Sequence, residues 1–222
     1  MHLSEASVVQ CSKSAHTLFQ LLRMLMDRLP TLLIVGWPTD TDSHLTIKGA
    51  DRETYAAPNQ HIKLGLDSQL RIIFVTTGSL ANTARETLPG NSVIDLPNEA
   101  YPIQEKRDYF SRAVMAGVLS TANSSGWIIL PTYSKICHTE TLWAIAEGLN
   151  SFGIVHASSN SFTTYPIGFS AEFFSELIRL QHEKDINKIL FRYPTLNIDY
   201  KIEGHRNATA PSLKTTHGIE HH

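Results

Sequence analysis

The sequence predicts an α/β fold in three layers, a mostly parallel sheet with helices on both faces. Three observations predict it. Short runs of consecutive apolar residues recur, as strands covered on both faces require: Leu32 to Val35, Ile72 to Val75 and Trp127 to Leu130. Between them, apolar residues fall at helical spacing, as in Phe110, Ala113, Val114, Gly117 and Val118, or Leu142, Ile145, Ala146 and Leu149. Strand and helix alternate with no internal repeat and no Gly/Ser-rich or Pro-rich linker, which is the pattern of crossover connections in one domain.

The elements follow in order. Residues 1–13 carry no pattern. Leu18, Leu21, Leu22, Leu25 and Leu29 make residues 14–29 an amphipathic helix stopped by Pro30. Its apolar stripe is read as packed on the chain's own surface, with a homodimer through residues 14–29 as the alternative. The first strand, residues 32–35, runs into a polar loop from Gly36 through Trp37, Pro38, Asp40 and Asp42 to His44. A helix is expected over 57–66, with Pro58 in its first turn. The strand at 72–75 ends at Thr76, Thr77 and Gly78. A short helix over 82–88 closes at Pro89 and Gly90, and a strand covers 92–96. A longer helix spans 104–121.

The strand at 127–130 ends at Pro131, which cannot donate to a ladder. The turn Thr132, Tyr133, Ser134 leads to a helix with Thr139 as its N-cap. A strand at 153–157 and a polar turn at 158–161 come next. Ser170 is expected to cap a helix carrying Phe173, Phe174, Leu177 and Ile178. A helix with Ile186, Ile189 and Leu190 ends at Pro194, and residues 196–200 form a last strand. The chain thus divides into an N-terminal extension (1–30), one domain (31–211) and a flexible tail (212–222).

At 222 residues the chain can form one large α/β domain. Its 19 basic and 21 acidic residues nearly balance, which gives no support for a nucleic-acid partner or an anionic membrane surface. Cys11 and Cys137 cannot build a disulfide framework, so a reducing compartment is the default. No apolar run reaches membrane-spanning length, and Arg23, Asp27 and Arg28 interrupt the one that could serve a leader. A cytoplasmic location is expected.

In a parallel sheet, ligands bind beyond the carboxyl ends of the strands. The central turn, Pro131 to Ser134, offers no carboxylate, no glycine pair and no cationic clamp there. Asp40 and Asp42 read as a solvated loop pair rather than metal ligands. Cys137 and His138 abut without metal-type spacing and read as structural. His156 reads as a hydrogen-bonded core histidine. His217, His221 and His222 belong to the tail.

One stretch carries a resemblance: Tyr165, Pro166, Ile167, Gly168, Phe169 and Ser170, followed by Phe173, Phe174, Glu176 and Leu177. Asp185 to Pro194, ending in Arg192, Tyr193, Pro194, continues it, and Asn98 to Tyr101, Ser111 and Gly117 add to it. With the strand spacing, these segments resemble the nucleotidyltransferases of molybdenum-cofactor maturation, and most closely the cytidylyltransferase-like branch of the group that includes the guanylyltransferases. The resemblance runs from about residue 31 to about residue 211. It implies a nucleotide-diphospho-sugar-transferase-like fold and transfer of a nucleotidyl group from CTP or GTP, with Mg²⁺, to a molybdopterin-like acceptor. The residues it implies for nucleotide binding are Gly36, Lys48, Thr76, Thr132, Tyr133, Pro166 and Gly168.

The family's sharp motifs are absent. Its glycine-rich first loop, with Arg and Lys, is replaced by Gly36 to His44, and Lys48 is the remnant of its lysine. Its Gly-Asp-x-Pro turn, whose Asp holds Mg²⁺, is replaced by Pro131, Thr132, Tyr133 and Ser134. Its Asp-Ile-Asp-Thr-Pro motif corresponds to Asn207 to Pro211, which has no acid, and Gln104 to Asp108 replaces a Gly-rich segment. Positioning and charge stabilisation carry most of nucleotidyl transfer. The expectation is therefore a retained fold with the reaction lost, and no residue is assigned as catalytic or as a metal ligand. The alternative is a nucleotide- or pterin-binding or protein-interaction module on the same fold.

Overall fold

The computed structural model describes residues 29–37, 58–97, 106–159, 162–199 and 213–216. In chain order these form β1 (Thr31–Val35), α1 (Pro58–Ser68), β2 (Arg71–Thr77), α2 (Gly78–Arg85), β3 (Val93–Leu96), α3 (Lys106–Ser120), β4 (Gly126–Pro131) and α4 (Thr139–Gly148). Then follow β5 (Ile154–Ser159), β6 (Phe162–Ser170), α5 (Phe174–Leu177), α6 (Lys184–Arg192), β7 (Thr195–Asp199) and β8 (Leu213–Thr216). One sheet holds all eight strands in the order β3-β2-β1-β4-β6-β5-β7-β8. β1 is parallel to β2 and β4, β2 to β3 and β5 to β7, while β6 and β8 run against their neighbours.

The apolar runs of β1 and β4 alternate between two cores, as a doubly covered sheet requires. Leu32, Ile34, Ile128 and Leu130 pack with Ile62 of α1, Leu80 of α2 and Leu142 and Ile145 of α4. Leu33, Val35, Trp127 and Ile129 pack with Phe110 and Val114 of α3, Leu177 of α5 and Ile186 and Ile189 of α6. The three-layer α/β/α architecture expected from the sequence is the one observed. No described helix is long and apolar enough to cross a membrane.

The largest departure is β6. The sequence places a polar turn at 158–161 and a helix cap at Ser170, and assigns no strand between them. Residues 162–170 instead form a nine-residue antiparallel strand between β4 and β5. Pro166 hides it, because proline argues against a central strand. Here the β5–β6 register shifts between His156 and Ala157, so Tyr165 and Pro166 lie at a bulge where a missing N–H does no harm. Ser170 does stand at the N-cap of a 3₁₀ turn over residues 171–173, but its hydroxyl donates to Glu172 Oε1 at 2.9 Å and caps no backbone N–H.

Smaller corrections have local causes. α2 begins at Gly78 rather than 82, since Gly78 takes φ 57° and gives its N–H to Asp95 Oδ1 at 3.0 Å. Thr139 is the first residue of α4, and the N-cap is His138, without a side-chain cap. Residues 213–216, inside the expected flexible tail, pair with β7 as β8, so the sheet extends past the boundary at 211. The helix at 14–29, the Asp40 and Asp42 loop, Lys48, the Asn98 to Tyr101 segment, Asn207 to Pro211 and the terminal histidines lie outside the described residues.

Candidate functional site

β1, β2 and β4 are parallel neighbours, so their carboxyl ends bring three sequence-predicted residues together: Gly36, Thr76 and Thr132. Their polar groups turn inward. Gly36 N donates to Val75 O at 2.9 Å, and its carbonyl accepts from Tyr109 Oη at 2.8 Å and from Thr76 Oγ1 at 3.3 Å. Thr132 N donates to Val35 O at 2.9 Å, while Thr132 Oγ1 accepts the Trp37 N–H at 3.0 Å. Ser134 Oγ donates to Pro131 O at 2.6 Å. A Cβ at Gly36 would lie 2.7 Å from the Phe74 ring. This glycine therefore serves close packing and does not wrap an anion.

Aromatic rings cover the strand ends. Trp37 packs edge-on against Tyr109 and Tyr133, with centroids 5.5 and 5.3 Å away. Tyr133 meets Tyr165 edge-on at 6.3 Å, and Tyr165 lies 6.0 Å from Phe110. Both phenols donate to one oxygen of Glu183, Tyr133 closely and Tyr165 at 3.0 Å. Burial, and the carboxylate that each phenol faces, push both Tyr133 and Tyr165 well above the ordinary phenol range, so both remain donors.

The other two sequence-predicted residues sit on β6. Pro166 follows Tyr165 through a cis peptide bond, at the bulge. Gly168 lies deeper, where a Cβ would come 2.5 Å from Ile145 of α4, and its role is packing. Lys48 lies outside the described residues.

A cleft of about 490 Å³ opens beside this cluster. Tyr165 and Ile167 of β6 line one side, and Glu183, Lys184, Ile186 and Asn187 line the other. Glu183 is the residue that sequence reasoning missed. It sits in the polar run Gln181, His182, Glu183, Lys184, Asp185, which reads as solvated surface. Only the tertiary fold brings it to Tyr133, fifty positions earlier.

The Mg²⁺ that the resemblance implies does not fit the central turn. A hard divalent cation needs carboxylate oxygens, and the hydroxyl standing there already accepts a backbone N–H. Among the described residues no cluster of His, Cys, Asp and Glu has metal-binding geometry. Cys137 is buried, and that burial pushes its thiol up to about 12, which suits a structural residue. His156 is buried as expected, its Nε2 lying 3.3 Å from Thr195 Oγ1, and burial lowers its pKa.

No protein-family profile matches the chain, and no curated protein matches it in sequence. Solved structures do match in fold. Rv0371c from Mycobacterium tuberculosis H37Rv, determined as a complex with manganese, superposes with a TM-score of 0.56 at 16% identity, covering 78% of this chain and 90% of that one. A second Rv0371c structure gives 0.55 at 17% identity over the same shares, 78% and 90%. An Rv0371c homologue from Mycobacterium sp. strain JC1 gives 0.53 at 14% identity, covering 79% and 87%. At such identities the likeness shows the fold alone, a three-layer α/β/α arrangement around one sheet.

Proposed function

We propose that this chain is a relative of the molybdenum-cofactor nucleotidyltransferases that has kept their fold and lost nucleotidyl transfer. It serves as a binding module for a nucleotide or a pterin-like molecule. One observation carries the reading. At the turn where the family places its metal-holding aspartate, Thr132 Oγ1 accepts the Trp37 N–H, and Tyr133 beside it reaches away to Glu183. The described atoms at this turn are committed to holding the protein together. Tyr133 and Trp37, both half-buried, supply aromatic surface suited to a planar ring rather than to phosphates.

Calorimetric titration with CTP and GTP, each with and without Mg²⁺, tests this. Mn²⁺ belongs in the same series, because the Rv0371c structure holds that ion. The reading expects weak binding that the metal leaves unchanged, and no pyrophosphate release with a molybdopterin-type acceptor. Metal-dependent binding with pyrophosphate release would restore the enzyme.

A further inference from the structure

The cleft beside Glu183 differs from the strand-end cluster in one chemical respect: its charges are unspent. Glu183 Oε1 takes two phenol donors, while Oε2 has no hydrogen-bond partner among the described residues. Lys184 follows directly in sequence, yet its ammonium pairs neither with Glu183 nor with any other described residue, and the Asn187 amide is likewise unengaged. An open carboxylate oxygen is best met by a cationic donor. Ile167 and Ile186 give the cleft an apolar floor, and the Tyr165 ring stands at its side. A purely cationic ligand would meet Lys184, however, and a purely anionic one would meet Glu183.

We propose that this cleft binds a small zwitterion of amino-acid type, its ammonium group on Glu183 Oε2 and its acidic group on Lys184, with Asn187 at the acidic end. Tyr133 and Tyr165 are positioning residues, since they fix the carboxylate without touching the ligand's acid. A volume of about 490 Å³ accommodates a molecule of this size. The proposal goes beyond the nucleotide reading and does not depend on it, because its ligand-facing groups, Glu183 Oε2, Lys184 and Asn187, are not used by that reading.

The test uses the full chain with 4-aminobutyrate as the probe, and butylamine and butyrate as its two halves. Isothermal titration should find 4-aminobutyrate binding more tightly than either half. Glu183→Gln should weaken 4-aminobutyrate and butylamine by about tenfold or more, as loss of a charge-assisted bond implies. Lys184→Ala should weaken 4-aminobutyrate by about threefold to tenfold and spare butylamine. Lys184 is exposed, so this variant leaves the fold intact and keeps the test decisive even if Glu183→Gln fails to fold. No binding at about 10 mM, butyrate binding as well as 4-aminobutyrate, or unchanged affinity in both variants would overturn the proposal.

Discussion

Two neighbouring regions of this molecule treat their polar groups in opposite ways. At the carboxyl ends of β1, β2 and β4, two of the described polar groups are satisfied from within: Gly36 O by Tyr109 and Thr76, Thr132 Oγ1 by Trp37. A few residues away, the cleft between β6 and α6 leaves Glu183 Oε2, Lys184 and Asn187 open. The first region is mostly core and the second is surface. Polar groups at strand ends can thus be taken up by packing while a cleft beside them keeps its charges open.

Substitutions can break this comparison, since changes at the strand ends should cost stability and changes in the cleft should not. The largest effect is expected at Gly36→Ala. Its new Cβ would press on the Phe74 ring at 2.7 Å and on Thr76 Oγ1 at 2.9 Å. Overpacking of this kind costs about 1–3 kcal/mol, readable as a lower denaturant midpoint at constant slope. Thr132→Val comes next, because it keeps the shape but removes the acceptor for the Trp37 N–H, at about 1–2 kcal/mol. Tyr133→Phe removes one of two donors to a half-buried carboxylate and should cost about 1 kcal/mol. Lys184→Ala, on the open side, should stay within about 0.5 kcal/mol of the parent chain. If Lys184→Ala destabilised as much as Thr132→Val, the contrast between the regions would fail.

The smallest effect concerns acid. Asp185, beside the cleft, is held at about 2, first by its bond from the Lys188 ammonium at 2.7 Å and then by the N–H groups of His182 and Gln181. A carboxyl lowered by folding adds stability above the ordinary carboxylate range, and that stability is lost as pH falls towards 2. An acid titration of stability should therefore show a shallow decline over this window, weaker in high salt and absent in Asp185→Asn.

The sequence made the scaffold legible where burial is total. Leu32 to Val35 and Trp127 to Leu130 have no polar residue, and a run covered on both faces can be little else. β6 escaped because its signal is mixed: it opens with Phe162, Thr163 and Thr164, and Pro166 interrupts it at a bulge that only the pairing with β5 reveals. At the site, the absence of carboxylates from Pro131 to Ser134 could be read directly. What the residues there do instead could not. Glu183 looks like any charge in a polar run until Tyr133 and Tyr165 are brought to it from two other elements. Gly36 and Gly168 looked like ligand-facing glycines, but the space each leaves is filled by Phe74 and Ile145.

The groups at the ends of β1, β2 and β4 hold the protein itself together rather than a metal and a phosphate, as proposed above. The most direct measurement of this is the melting temperature with GTP or CTP at millimolar concentration, with and without Mg²⁺, since a ligand that binds only the folded state raises it by linkage. The account predicts that Mg²⁺ adds nothing to whatever shift the nucleotide produces. A shift that appears only when nucleotide and Mg²⁺ are present together would contradict it.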